Sequence, residues 1–187
     1  MKIIARLSSV LALCAFLSVS CSQAPKDPME LALCAEIEHL TDAGAKIYLN
    51  TFELVDSTSL GEEIDYRIKV FNIKLDQDRK FREQYKKEGR PVNEAKKVEA
   101  IANDERVIAG LEAMKIAMAD SLGTIVFRDY RFSGKAVSSE NETVFEDYYA
   151  AMSPEGEVLA LEPSQKGLHK SLGRVIPGYT ELIKGVE

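Results

Sequence analysis

Hydrophobic positions along the chain change rhythm several times, and each change marks an expected element. Leu33, Ile37 and Leu40 recur three and four residues apart, which predicts a helix over Pro28–Leu40. Asp27 stands where a cap is wanted, Pro28 suits the first helical position, and Glu30 sits where a reciprocal capping acid would. The polar segment 41–44 ends that helix. Over 46–55, Ile47, Tyr48, Leu49, Phe52, Leu54 and Val55 favour a strand broken near Asn50 and Thr51; continuation of the first helix is the alternative.

The stretch 60–88 supports two periods. Ile64, Tyr66, Ile68 and Val70 alternate as in a strand, whereas Leu60, Ile64, Ile68, Phe71 and Leu75 form a helical stripe. Two further features decide for a helix. Ser59-Leu60-Gly61-Glu62 is a capping box, and acids precede bases by four residues at Glu63/Arg67, Asp65/Lys69, Asp78/Arg82 and Glu83/Lys87. Each pair contributes only about 0.3 kcal/mol, but nothing in a strand would repeat them in register. Gly89-Arg90-Pro91 breaks the element. A second helix is expected over 91–122, with Val98, Ile101, Ile108, Leu111, Met118 and Leu122 on one side and Gly123 as its stop. Its alanines allow close approach of a neighbour, so the two helices read as an antiparallel hairpin whose charged faces are solvated surface.

The pattern then turns to β-branched and aromatic residues. Segments 124–137, 142–152 and 157–162, separated by a polar link and by Ser153-Pro154-Glu155-Gly156, predict a three-strand meander. Phe127, Tyr130, Phe132, Phe145, Tyr148 and Tyr149 lie in the first two of these strands. Ordinary burial of such rings predicts packing against the helical hairpin. Tyr130, Phe132, Tyr148 and Tyr149, with Tyr179 from the tail, are the candidates for a binding surface if any of them is exposed. The expected fold is α+β, an antiparallel sheet made of the meander and the N-proximal strand, packed against a long antiparallel helical hairpin.

Ahead of this domain, Lys2 and Arg6 precede an apolar run over 7–17, long enough for an export signal and too short to span a bilayer comfortably. Leu17-Ser18-Val19-Ser20-Cys21 resembles the lipobox of bacterial lipoproteins, with Leu17 one place earlier than that family's pattern. The resemblance implies acylation of Cys21 and removal of residues 1–20; Ser18 and Ser20 equally suit plain signal-peptide cleavage. The expected organisation is a signal peptide over 1–20, a lipidated tether over 21–26 and one domain over 27–187. Cleavage leaves 22 basic against 30 acidic residues, a balance that disfavours nucleic acid as a partner. It also disfavours charge-driven attachment to an anionic lipid surface, which makes a covalent anchor the more useful tether. With Cys21 acylated, Cys34 is a lone thiol of the buried kind; with Cys21 free, a Cys21–Cys34 disulfide is open.

Catalytic constellations are not apparent in the sequence. His39 and His169 are far apart, with no metal-ligand spacing around them, so neither a metal nor a cofactor is expected. Gly134-Lys135 lacks the rest of a phosphate loop, and the many acids cannot be paired from sequence. Asp56-Ser57-Thr58 and Asp120-Ser121-Leu122 are similar to the short O-glycosylation acceptor motif of Bacteroidetes; helix punctuation is the alternative for both and the favoured one for Ser121. Val175-Ile176-Pro177-Gly178-Tyr179-Thr180-Glu181 is similar to the segment lining the prolyl pocket of FKBP-type peptidyl-prolyl isomerases, and 130–134 with Phe145-Glu146 is similar to their upstream strands. The gap from Tyr130 to Ile176 exceeds that family's spacing and the sequence stops at Glu187, so no catalytic residue is carried over. In its order of elements the chain resembles the small lipoproteins of Bacteroidetes envelopes. That resemblance implies a location, an outer membrane, and no activity; no run of acids directly follows Cys21, which favours a domain facing the periplasm over the outside. The functional expectation is a non-enzymatic binding or assembly module with an envelope protein as partner; a prolyl isomerase or a small-ligand carrier are the alternatives.

Overall fold

The computed structural model describes residues 27–41, 44–170 and 172–186; the expected leader, Cys14 and Cys21 lie outside the described residues. Asp27 caps helix α1 (Pro28–Leu40), its side chain accepting from the Met29 amide at 2.8 Å, and α1 buries Leu33 and Ile37. Strand β1 (Lys46–Ser59) follows, so the helical alternative for this segment does not hold. The break expected near Asn50 is a β-bulge, because Leu49 and Thr51 face the consecutive residues Gly134 and Ser133. Strands β2 (Ile125–Val137), β3 (Glu142–Met152) and β4 (Val158–Glu162) complete an antiparallel sheet in the order β1-β2-β3-β4.

Helices α2 (Leu60–Lys87) and α3 (Pro91–Ala117) form the hairpin. The capping box at Ser59 and Glu62 is made in both directions. Helix α3 ends five residues before the expected stop at 122, in a tight turn over Ala119–Ser121. The reason lies in the first turn of α2, whose amides have no partner within their own helix. The carbonyls of Thr124 and Leu122 accept from the Leu60 and Gly61 amides, at 2.9 Å each, which requires the chain to leave the helix there.

Of the four acid–base pairs read along α2, Glu63–Arg67 is formed, with Arg67 Nε donating to Oε1 at 2.6 Å. Asp65 and Asp78 turn instead to Lys115 and Lys97 of α3, and buried Asp104 of α3 accepts from Lys74 at 2.9 Å. Across an antiparallel seam the facing helix brings opposite charge as close as the next turn does. The buried stripe of α3 is accordingly Asp104, Val107 and Leu111, while Val98, expected on the inner side, is 46 % exposed.

The core is divided by the sheet. On one face, Leu33 and Ile37 of α1 pack with Tyr130, Phe132, Ala150 and Met152. On the other, Phe127 and Ala151 are covered by Leu168 and Leu172 of the C-terminal segment, which comprises α4 (Gln165–Leu168), a turn over Leu172–Val175 and α5 (Tyr179–Leu182). The hairpin joins through its base, where Leu60, Ile64, Val107 and Leu111 meet Ile176 and Tyr179, with Val126 of β2 at the margin. Gly173 permits that junction, because any side chain there would collide with the Tyr179 ring. Helical hairpin and sheet thus pack into one α+β unit. Four of the meander's aromatic residues, Tyr130, Phe132, Phe145 and Tyr148, lie under α1, and Phe127 and Tyr149 lie against the C-terminal segment, a correction to the sequence reading that follows from that segment occupying the hairpin's side. Among the described residues no helix is long and apolar enough to cross a membrane.

Candidate functional site

Strand β3 would put Phe145 and Tyr148 on opposite faces if it alternated strictly. One extra residue prevents this. Tyr148 pairs with Phe132 and Phe145 with Gly134, so Glu146 and Asp147 together face Ser133. Asp147 takes the strain of the bulge in a left-handed conformation (φ 50°), and its amide donates to Ser133 Oγ at 3.2 Å. The result is an aromatic trio on the α1 face: Phe132, Phe145 and Tyr148, with ring centroids 5.4 to 6.1 Å apart and Phe145 edge-on to Tyr148.

These rings form one wall of an open cleft of about 550 Å³ between the end of α1 and the meander. Ile37 and Leu40 form the α1 side, Leu161 of β4 the far end, and Thr41, Asn141 and Thr143 the polar margin. Leu40, expected in the core, is 61 % exposed at the mouth. The lining suits an apolar group: rings and aliphatic side chains supply contact area, and a few polar groups at the edge fix orientation.

The structure distributes the five candidate binding residues. Phe132 and Tyr148 come together in this cleft. Tyr130 is a core residue stacked on Phe52, centroids 4.5 Å apart, and its burial pushes the phenol pKa up. Tyr149 lies on the opposite face beside Leu159 and Ala160, and Tyr179 is buried at the hairpin base. Tyr130, Tyr149 and Tyr179 therefore do not belong to a shared surface. Phe145 joins the cleft although sequence reasoning left it among ordinary core rings; the bulge that recruits it has no signature in the strand's alternation. Cys34 is half-buried, and burial followed by nearby Glu30 raises its thiol pKa, the condition of an unreactive thiol.

The opposite face holds a second, smaller opening at the junction of β1 and α2, about 220 Å³ in volume. Here too a bulge decides the chemistry. Leu54 pairs with Tyr130 and Asp56 with Asp129, so Val55 is the extra residue that turns Asp56 toward the Asp129 face. Asp129 is fully buried and its Oδ2 meets His169 Nε2 at 3.1 Å and Gln165 Nε2 at 3.2 Å. The His169 ring is held between Phe127 and Tyr66. Beside it, Arg67 donates to the carbonyl oxygens of His169 (2.6 Å) and Lys170 (3.2 Å) and so ties the C-terminal segment to α2. Burial pushes the carboxyls of both Glu63 and Asp129 above their usual range, outweighing Arg67 and His169 for Glu63 and Gln165 and His169 for Asp129. Of this cluster only the Glu63–Arg67 pair is legible in sequence, because it lies within one helix; the contacts of Asp129 with His169 and of Arg67 with the carbonyls of 169 and 170 join residues 40, 102 and 103 positions apart. Among the described residues, no three His, Cys, Asp or Glu side chains are placed to hold a metal.

The isomerase-like strings do not line one cavity. Phe132 and Phe145 lie in the cluster under α1, Ile176 and Tyr179 in that of the hairpin base, and Val175 beside Phe127 and Leu172. No family model, curated protein or solved structure matches this chain.

Proposed function

We propose that the protein is a non-enzymatic binding module of a cell envelope, anchored to the outer membrane through lipidated Cys21 and facing the periplasm, which seats apolar side chains of an envelope partner between α1 and the meander. The observation that carries this reading is the aromatic trio Phe132, Phe145 and Tyr148, left half-open by the end of α1. Apolar surface that a fold leaves accessible, rimmed by polar groups, is what partner recognition uses. The cleft is a groove with an exposed rim at Leu40, which suits a side chain delivered on an extended segment better than a free molecule that must be enclosed. The tether supports the same reading, since holding a binding surface at a membrane raises its effective concentration toward neighbours anchored there.

The chain contains no tryptophan, so a peptide with a single tryptophan reports on its own environment. Titrating the full-length protein into an extended Leu-Trp-Leu peptide should give a saturable blue shift, weakened about tenfold by Tyr148→Ala or Phe145→Ala, the loss of one ring contact in a desolvated site. Equal binding by the wild type and both variants would overturn the assignment. A tight response to free indole but not to the peptide would move the reading to a small-ligand carrier.

A further inference from the structure

The opening at the β1–α2 junction has a chemistry that the apolar cleft does not account for. Its floor is Glu63, a fully buried carboxylate with Oε1 held by Arg67 and Oε2 free of any hydrogen-bond partner. Behind His169, Asp129 is in the same condition, with Oδ2 bonded and Oδ1 not. Arg67 pairs with Glu63 and gives its two terminal nitrogens to the carbonyls of 169 and 170, while the second buried carboxylate, Asp129, is held by His169 and Gln165. The rim adds Asp56 and Glu62, and Glu62 is kept ionised by hydrogen bonds from the backbone and side chain of Ser59. Ser57 and Thr58 bring hydroxyl oxygens, and no lysine or arginine lines the opening.

Such a wall accepts hydrogen bonds and carries excess negative charge, so its complement is a positively charged donor. The small volume selects a compact head, and an ammonium has three donors to distribute over a carboxylate and hydroxyls. We infer that this cleft binds a primary ammonium group on a short apolar stem, with Glu63 as its buried counter-ion and Asp56 as the acid at the rim. Burial makes Glu63 the group that gains most from a cation, because an ion pair is strongest where water is excluded. His169, held by Asp129, which Gln165 holds in turn, and the Tyr66 ring form the wall that keeps water out. The Asp56-Ser57-Thr58 string, which the sequence offered only as a short glycosylation-like motif, supplies half of the rim.

The test is a titration of the full-length protein with n-butylammonium, followed by the side-chain NMR signals of His169 and Tyr66, with 1-butanol as the uncharged comparison. Saturable shifts with the amine and none with the alcohol are expected. Glu63→Gln should weaken binding roughly tenfold or more, the loss of a charge-assisted contact. Asp56→Asn, at an exposed position that cannot compromise folding in the same way, should weaken it roughly threefold. A lysine-containing peptide that binds more tightly than the free amine would assign the ammonium to a protein partner; the reverse order would assign it to a small amine, and both uphold the site. No saturable shift, equal response to 1-butanol, or unchanged affinity in both variants would overturn it.

Discussion

The two clefts lie on opposite faces of one sheet, and each exists because a strand carries one residue more than its partner. The extra residue of β3 brings Phe145 and Tyr148 onto the α1 face; the extra residue of β1, Val55, brings Asp56 onto the other. The contents then diverge. Under α1 the wall is rings and aliphatic chains that the fold would bury in any case, so the cleft is a core left ajar. Beside the C-terminal segment the opening is lined by Glu63 and His169 and backed by Asp129 and Arg67, groups that folding resists burying. The comparison separates two uses of an irregular strand: on one face the bulge economises on closure, and on the other it gathers charge that needs a partner.

Removing a member of the charged set should therefore have the largest effect on stability. Arg67→Met leaves Glu63 buried without its partner and releases the carbonyls of 169 and 170; a loss of about 3–5 kcal/mol is expected in chemical denaturation, with amide exchange rising first over 165–176. On the apolar face Phe132→Ala should cost about 3–5 kcal/mol through the cavity it leaves, close to the Arg67 figure, but with exchange rising in α1 and β3 and the C-terminal segment unaffected. An identical exchange pattern in both variants would erase the distinction between the faces.

The pH dependence sharpens it further. Burial raises the folded-state pKa of Glu63 and Asp129, so between the unfolded carboxylate range, about 4, and those raised values the native state binds more protons than the unfolded chain. Stability contributed by these two groups is therefore greatest in acid and falls as pH rises through the folded values. Relative to wild type, Glu63→Gln and Asp129→Asn should gain in stability as pH goes from about 4 to about 7, measured by denaturant midpoints at each pH. Tyr148→Ala should show no such trend. At the small end, Arg79→Ala, which breaks an exposed bridge to Glu105, should change stability by no more than about 0.5 kcal/mol.

Much of this architecture is visible in the sequence for physical reasons that can be named. Helix α1, the start of α2 and the three meander strands follow from periodicity, caps and turn residues, all local signals, and the structure places them within a residue or two of the reading. The bulge at Asn50 is foreshadowed by the polar pair that interrupts β1. The bulges at Val55 and Asp147 are not, since both sit in runs where hydrophobic and polar residues alternate passably in either register. The partners of Asp65 and Asp78 were misread because a pair within one helix is visible in sequence and a pair across a hairpin is not. The Asp129–His169 contact joins residues 40 positions apart and depends on where α4 lands, which no local pattern specifies. Two of the three rings of the apolar cleft, Phe132 and Tyr148, are among the candidate residues, whereas Tyr179, a candidate from an isomerase-like string, proves to be the plug of the hairpin base.

One measurement bears most directly on the account of two independent clefts. Full-length protein with labelled aromatic side chains is titrated first with the Leu-Trp-Leu peptide and then, in the same sample, with n-butylammonium. The account predicts that the peptide shifts Phe132, Phe145 and Tyr148 while Tyr66 and His169 stay in place, and that the amine does the reverse at unchanged peptide occupancy. Peptide-induced shifts at Tyr66 and His169 with none at Phe145 and Tyr148, or displacement of the peptide by the amine, would contradict it.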